Sequence, residues 1–356
     1  MPLSMPRFPS AAAAHLQEFG SRWSSSSQKR WSSLALRPSL LHVSAIALLV
    51  FFSFFLNHAE SAATPGVCVS HDQPNPLAEQ FPNNATGVLN ATLAIIPIPL
   101  EMARRLIPPQ YGILERAYRA LLPNFPEGMY PVMLQAAHDH DVQFRAYGIT
   151  IDDFSRVGFE FPFLDLAGDG YSSFRWAPAQ LISATNDVAL EGSRDYGTIV
   201  SAAEYEPPCD AYRQLANGAT YFKGSSLTSP DFVELEMTRL PPHPTLNPYP
   251  LELFKNITNQ PTFANATTCD NMIRLFNTTM SVGEYAPVPV RGRVRALAFP
   301  FEGTAEKEWT GVYGVQVATP FIENNYLDCN SMRGYSGTGG PGDSYIPGLK
   351  PANEDV

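Results

Sequence analysis

Residues 232–240 read FVELEMTRL, and their alternation decides the fold class. In an extended chain Val233, Leu235 and Met237 fall on one side, and Phe232, Glu234 and Glu236 on the other. A period of two with one apolar side is the mark of a half-buried strand. The same grammar recurs on both sides of this stretch, in short apolar runs divided by turn residues. They are TLAIIPI at 92–98, MYPVMLQAA at 129–137, FRAYGITI at 144–151, RVGFEFPFLDL at 156–166, TIVSAAEY at 198–205, RVRALAFPF at 293–301 and GVYGVQVATPF at 311–321. Helical patterns are fewer: PLEMARRLIPP at 99–109, with proline at its start and two as a stop, ILERAYRALLP at 113–123, and CDNMIRLF at 269–276. Proline at the first position and beyond the last is helix punctuation. Many strands with scattered short helices predict a mainly β barrel or sandwich.

The N-terminus gives the chain an address. Residues 40–56, LLHVSAIALLVFFSFFL, are broken only by His42 and two serines. Arg7, Arg22, Lys29, Arg30 and Arg37 precede the run against one acid, Glu18. A basic flank stays cytoplasmic and the chain beyond the apolar run crosses. Small residues at Ala59, Ser61 and Ala63 suit a signal peptidase, while retention as an anchor is the alternative. Both place the folded part on the lumenal or extracellular side of the secretory pathway, with membrane contact only through this segment. Five Asn-X-Ser/Thr sequons, at Asn84, Asn90, Asn256, Asn265 and Asn277, agree with that address and predict exposed chain around 84–90 and 256–277. All four cysteines, Cys68, Cys209, Cys269 and Cys329, lie beyond the apolar run. An even count in an oxidising compartment reads as two disulfides, with three pairings open.

Charge narrows the partners. The whole chain has 24 basic and 34 acidic residues, and the segment through residue 56 takes five of the former and one of the latter. The remainder is strongly acidic, which disfavours nucleic acid and anionic lipid. The expected organisation is a disordered leader at 1–39, a signal peptide or anchor at 40–61, a linker at 62–88, the β domain at 89–331 and a loose tail at 332–356. The tail's GTGGPG at 337–342 matches a dinucleotide fingerprint but lacks the strand before and the helix after that such a loop needs. No cofactor is expected.

Three segments, in order, resemble the acetoacetate decarboxylase-like family. They are the helix and Leu-Pro stop at Ile98–Pro109, the stretch Glu191-Gly192-Ser193-Arg194-Asp195-Tyr196-Gly197, and the late strand opening with Glu308-Trp309-Thr310-Gly311. The resemblance covers roughly residues 90–325. It implies a cone-shaped, mainly antiparallel β-barrel around a ligand cavity, as in secreted, glycosylated fungal-type members. The family's chemistry needs a lysine that attacks a keto acid's carbonyl to form an imine. By the resemblance that lysine falls at Val200 or Ser201, and neither side chain can form an imine. An acetoacetate decarboxylase-like barrel without its engine would still hold a small keto acid or polyketide-like molecule in an aromatic-lined cavity.

Candidate residues follow from that reading. Glu160 is the candidate acid–base carboxyl of a lyase, cyclase or isomerase, with a solvent-facing strand position as the alternative. Lys223, in ATYFKGSS, is the candidate displaced lysine, or an exposed strand lysine. Arg194 is a candidate carboxylate anchor, placed with Arg175 and Trp176 on core strands, or an ion-pair partner of Asp195, Asp187 or Glu191. Arg175, Trp176 and Ser201 complete the expected ligand contacts. His138 and His140 flank Asp139 in AAHDHD, which reads as a polar turn; a shared metal on a strand face is the weaker alternative, and no third ligand is apparent. No metal is expected. A non-catalytic binding barrel stays open beside the enzyme readings. Nucleophile-elbow, aspartic-protease and zincin motifs are missing, so hydrolysis has no sequence support.

Overall fold

The computed structural model describes residues 68–70, 72–241, 246–301 and 305–334. These belong to the unit Val67–Val356; the leader, the apolar run, the tail motif and the unit Met1–Gly66 lie outside the described residues. Among the described residues, no helix is long and apolar enough to cross a membrane.

Fifteen strands form one sheet. The longest are β1 (Ala85–Pro99), β3 (Met129–Phe144), β5 (Phe154–Asp165) and β15 (Lys307–Leu327). They lie side by side and antiparallel in the order β5-β3-β1-β15. Both outer members branch. The first half of β5 pairs with β7 (Ala179–Ser183), and its end pairs with β6 (Phe174–Trp176). Likewise β15 pairs first with β14 (Val288–Leu297) and later with β13 (Cys269–Arg274).

Each pair of branches closes on itself. One ring runs through the shared wall, then β13, β12 (Thr262–Phe263) and β6. The other runs through the wall, then β14, β11 (Phe232–Arg239), β10 (Thr220–Ser226), β8 (Ile199–Glu206) and β7. Because successive side chains on a strand point to opposite faces, the wall gives alternate residues to each ring. On β5, Arg156 and Glu160 face the first ring while Val157 and Phe159 face the second. The β-barrel expectation is thus met by two closed strand rings with a common wall.

The second ring holds the apolar core. Val233, Leu235 and Met237 of β11 are buried as their alternation predicts, and meet Phe222, Val294 and Ala296. Phe159 packs edge-on against Phe301 at 4.9 Å and against Trp309 at 5.8 Å. Gln316, the main polar intrusion, donates to Thr220 Oγ1 at 2.7 Å.

Helices are short. The 99–109 pattern gives α1 (Leu100–Leu106) and 113–123 gives α2 (Glu115–Leu121). The EGSRDYG stretch ends α3 (Asp187–Asp195), which Asn186 caps by accepting from the Ala189 N–H at 2.8 Å. Gly197 sits at φ +84° just beyond it, a conformation glycine adopts without strain, and a Cβ there would collide with Asn265. Residues Leu251–Thr258 form α4.

Several expectations fail for physical reasons. CDNMIRLF is not a helix: Cys269–Arg274 is strand β13, paired with both β12 and β15. A six-residue helix has little stability of its own, and tertiary pairing overrides its propensity. AAHDHD is no turn but the buried centre of β3. Strand β1 begins at Ala85, and Leu77 and Ala78 before it are buried. Of the sequons, Asn265 and Asn277 are exposed and Asn84 is half-buried. Asn90 is buried on β1 with its amide donating to Asp72 Oδ2, and Asn256 is buried on α4, so neither offers the surface a glycan needs. The cysteines pair as Cys68–Cys209 and Cys269–Cys329.

Candidate functional site

The first ring is lined by charge. From β5 it receives Arg156 and Glu160, from β3 Gln135 and Asp139, from β13 Asp270 and Arg274, from β15 Glu323 and from β6 Arg175. Burying a charge is costly unless it is paired and hydrogen-bonded. Most members of this ring obey that rule. Arg156 donates to both oxygens of Asp139, at 2.7 and 3.1 Å. Burial works against the Arg156 charge, but Asp139 overrides it and the guanidinium is held more firmly protonated than usual. Arg175 donates twice to Thr262 Oγ1, and its Nη1 lies 3.2 Å from Glu160 Oε2.

Arg274 departs from the rule. Its side chain is 2% exposed. One nitrogen, Nη2, donates to Gln135 Oε1 at 2.6 Å, and Gln135 in turn lies 3.5 Å from Glu160 Oε1. Among the described residues Nε and Nη1 have no hydrogen-bond partner, and no carboxylate forms an ion pair with it. Burial, then the neighbouring Arg175 and Arg156 charges, push it down to about 9. A cation so destabilised gains from any anion that reaches it. Nε and Nη1 lie on opposite edges of the guanidinium, so each offers a separate donor to an anionic oxygen.

Beyond Met272, on the same face of β13, Asp270 meets Glu323 of β15. Burial raises the proton affinity of both carboxyls, and the Glu323 charge raises that of Asp270 further. Both residues are half-buried, at the edge of the ring near Tyr196, which stacks on Tyr326 at 4.9 Å. The Tyr196 hydroxyl accepts from the Tyr326 N–H at 2.8 Å.

The structure divides the sequence candidates between these surroundings. Glu160 and Arg175 meet inside the charged ring, so the solvent-facing alternative for Glu160 is excluded by its 2% exposure. Trp176 is buried beside Phe161, and its indole N–H is taken up by Ala264 O. Ser201 belongs to the second ring, where it lines a small cleft with Val157, Phe159, Leu181, Val233 and Phe299. Arg194 is not on a core strand: it is exposed on α3, in an ion pair with Glu191. Lys223 does not enter either ring. On β10 the inner positions are Thr220, Phe222 and Gly224, and the Lys223 amine lies outside, over Phe232. Lys255 and Lys307 are also outside, on α4 and at the start of β15.

Arg274 and Asp270 were missed because 269–276 reads as a helix, in which the two would be surface neighbours. The signal was present in the alternation Asp270, Met272, Arg274. His138 and His140 lie on the other face of β3 from Asp139. Their Nδ1 atoms meet Ser155 Oγ and Asp141 Oδ2, each at 3.0 Å. Burial lowers the His138 pKa and keeps the ring neutral. Among the described residues no three His, Cys, Asp or Glu side chains are grouped to hold a metal.

No protein-family model matches the sequence. No curated protein matches it either. Solved structures are similar to it, among them the following two. One is the enduracididine biosynthesis enzyme MppR, complexed with the condensation product of pyruvate and imidazole 4-carboxaldehyde. It is 10% identical, the match covers 73% of this chain and 96% of that one, and the TM-score is 0.36. The other is an acetoacetate decarboxylase-like enzyme from Sphingomonas wittichii RW1, 9% identical over 69% of this chain and 92% of that one, with a TM-score of 0.35. Both neighbours are acetoacetate decarboxylase-like enzymes. The likeness lies at the level of the chain trace, and no residue role passes from either to this chain.

Proposed function

We propose that this chain is a secretory-pathway protein that binds a small carboxylate-bearing molecule, of keto-acid or polyketide-like type, inside its charged strand ring. The ligand's carboxylate accepts from an unpartnered nitrogen of Arg274, Nε or Nη1, with Arg175 beside it. The observation that carries this reading is the buried guanidinium whose two nitrogens lack partners among the described residues. A buried charged donor left unmatched costs a few kcal/mol, and an anion recovers that cost. Among the described residues no lysine offers imine chemistry, since Lys223, Lys255 and Lys307 all lie outside the rings. The paired cysteines support an oxidising address, and Asn265 and Asn277 are the exposed sequons that carry glycans.

Calorimetric titration with pyruvate, 2-oxobutyrate and their methyl esters tests the reading. The acids bind, the esters do not, and Arg274→Met loses about a hundredfold or more in affinity, as expected for a buried charged pair. Equal binding of acid and ester, or an Arg274→Met variant with unchanged affinity, contradicts it.

A further inference from the structure

The charged ring carries its charges in pairs, and the count does not come out even. Arg156 is matched by Asp139, at 2.7 and 3.1 Å, and Arg175 by Glu160, at 3.2 Å. Arg274 has no carboxylate of its own among the described residues, and its Nε and Nη1 have no partner. The guanidiniums of these pairs and Arg274 thus exceed the paired carboxylates by one. Asp270 and Glu323 stand half-buried at the edge of the ring, and ionising either one only lowers that excess. The interior therefore accepts one further negative charge at most. A second one would be buried without a counter-charge, which is strongly unfavourable.

Glu160 is placed to hold the count at one. It is 2% exposed, and Arg175 faces it. Its Oε1 lies 3.5 Å from Gln135 Nε2, and Gln135 Oε1 accepts from Arg274 Nη2 at 2.6 Å. One side chain therefore separates the Glu160 carboxyl from the unmatched guanidinium. Its Oε2 accepts no hydrogen bond among the described residues, so no donor besides the Arg175 charge offsets it. Like charges repel strongly in an interior of low dielectric. An acid bound at Arg274 meets Glu160 with whatever negative charge it carries beyond its first carboxylate.

We propose that the charged ring selects monoanions, and that Glu160 is the residue that turns dianions away. This rests on the binding reading above and narrows the ligand of the same site to an acid with a single negative charge. A 2-oxo acid with an apolar or neutral polar chain fits, and its dicarboxylic counterpart does not. Glu160 acts here by its charge and makes no bond to the ligand.

The experiment is calorimetric titration with 2-oxobutyrate, with 2-oxoglutarate, and with 2-oxoglutarate methylated at its far carboxylate. The wild-type protein binds 2-oxobutyrate and the ester, and binds the diacid about a hundredfold or more weakly. The ester is larger than the diacid, so its binding separates charge from size. In Glu160→Gln the diacid gains about tenfold or more relative to 2-oxobutyrate, because its second carboxylate no longer meets a like charge. The joint change Glu160→Gln with Arg175→Gln removes one charge of each sign, and the preference for the monoanion returns. A wild-type protein that takes the diacid as tightly as 2-oxobutyrate, or the ester as weakly as the diacid, overturns this inference and leaves the binding reading standing. So does a preference unchanged in Glu160→Gln or lost in the joint variant. Failure of 2-oxobutyrate to bind overturns both. Circular dichroism reports the folding of each variant, and the three ligands on the wild-type protein decide the matter even where Glu160→Gln does not fold.

Discussion

The two strand rings are made from the two faces of one wall, yet they are stabilised in different ways. The apolar ring fills its interior with Phe159, Phe222, Leu235 and Val294, whose burial is non-directional and adds up residue by residue. The charged ring fills its interior with Arg156, Asp139, Glu160, Arg175 and Arg274, whose burial is tolerable only in matched sets. The difference teaches where function resides. A packed apolar interior has little left to offer a ligand, whereas an unmatched cation inside a matched network marks a place built for something else. Residues one position apart on β5, Arg156 and Val157, therefore have unrelated roles.

The largest expected effect lies in the charged ring. Asp139→Asn leaves the Arg156 guanidinium buried without its counter-charge and destabilises the fold by about 3–5 kcal/mol in urea denaturation. The joint replacement Asp139→Leu with Arg156→Met removes both charges and costs much less than the two single changes summed. In the apolar ring Leu235→Ala and Phe159→Leu come closer to adding, because no charge is orphaned. Additive behaviour in both rings breaks the comparison.

Next in size is the Cys269–Cys329 bridge, which holds the start of β13 beside the end of β15. The double change to alanine costs about 2–4 kcal/mol, since a 60-residue loop is freed in the unfolded chain. It also loosens the contact of Asp270 with Glu323. The loss of stability is read by thermal denaturation.

The charged ring also responds to pH in a particular sense. Burial raises the folded-state proton affinity of Asp270 and Glu323. Their contribution is fully present below the unfolded carboxylate range near pH 4 and is lost as pH rises through the folded values. Asp270→Asn therefore raises Tm relative to the wild type at pH 8, by a few degrees, and the gain vanishes at pH 4. His138, on the apolar face, runs the other way. Its lowered pKa means the unfolded chain binds the proton first, so its contribution is lost below about pH 6.5 and is absent in His138→Gln. Arg274→Met gives the smallest change in Tm, none or a slight rise, because it removes an unmatched buried charge rather than a partner.

The fold was legible where one face is apolar. FVELEM and TLAIIPI announce strands, and PLEMARRLIPP announces α1, because alternation and proline punctuation are local. The branching of β5 and β15 was not, since which strand a segment joins depends on partners far along the chain. Glu160 and Arg175 were singled out and do meet, although nothing in the spacing of VGFEFPF and FRW says that they touch. Arg194 and Lys223 misled because their charge type fits the expected chemistry while their positions, on a surface helix and an outer strand face, do not. Arg274 stayed hidden because the short 269–276 stretch fits a helix as well as an alternating strand, and only the pairing with β12 and β15 decides for the strand.

A crystal structure of the protein with pyruvate or 2-oxobutyrate tests the central claim most directly. The expected result is the carboxylate within hydrogen-bond distance of Arg274 Nε or Nη1, inside the charged ring. A ligand seated instead in the Ser201 cleft of the apolar ring, with Arg274 untouched, would contradict it.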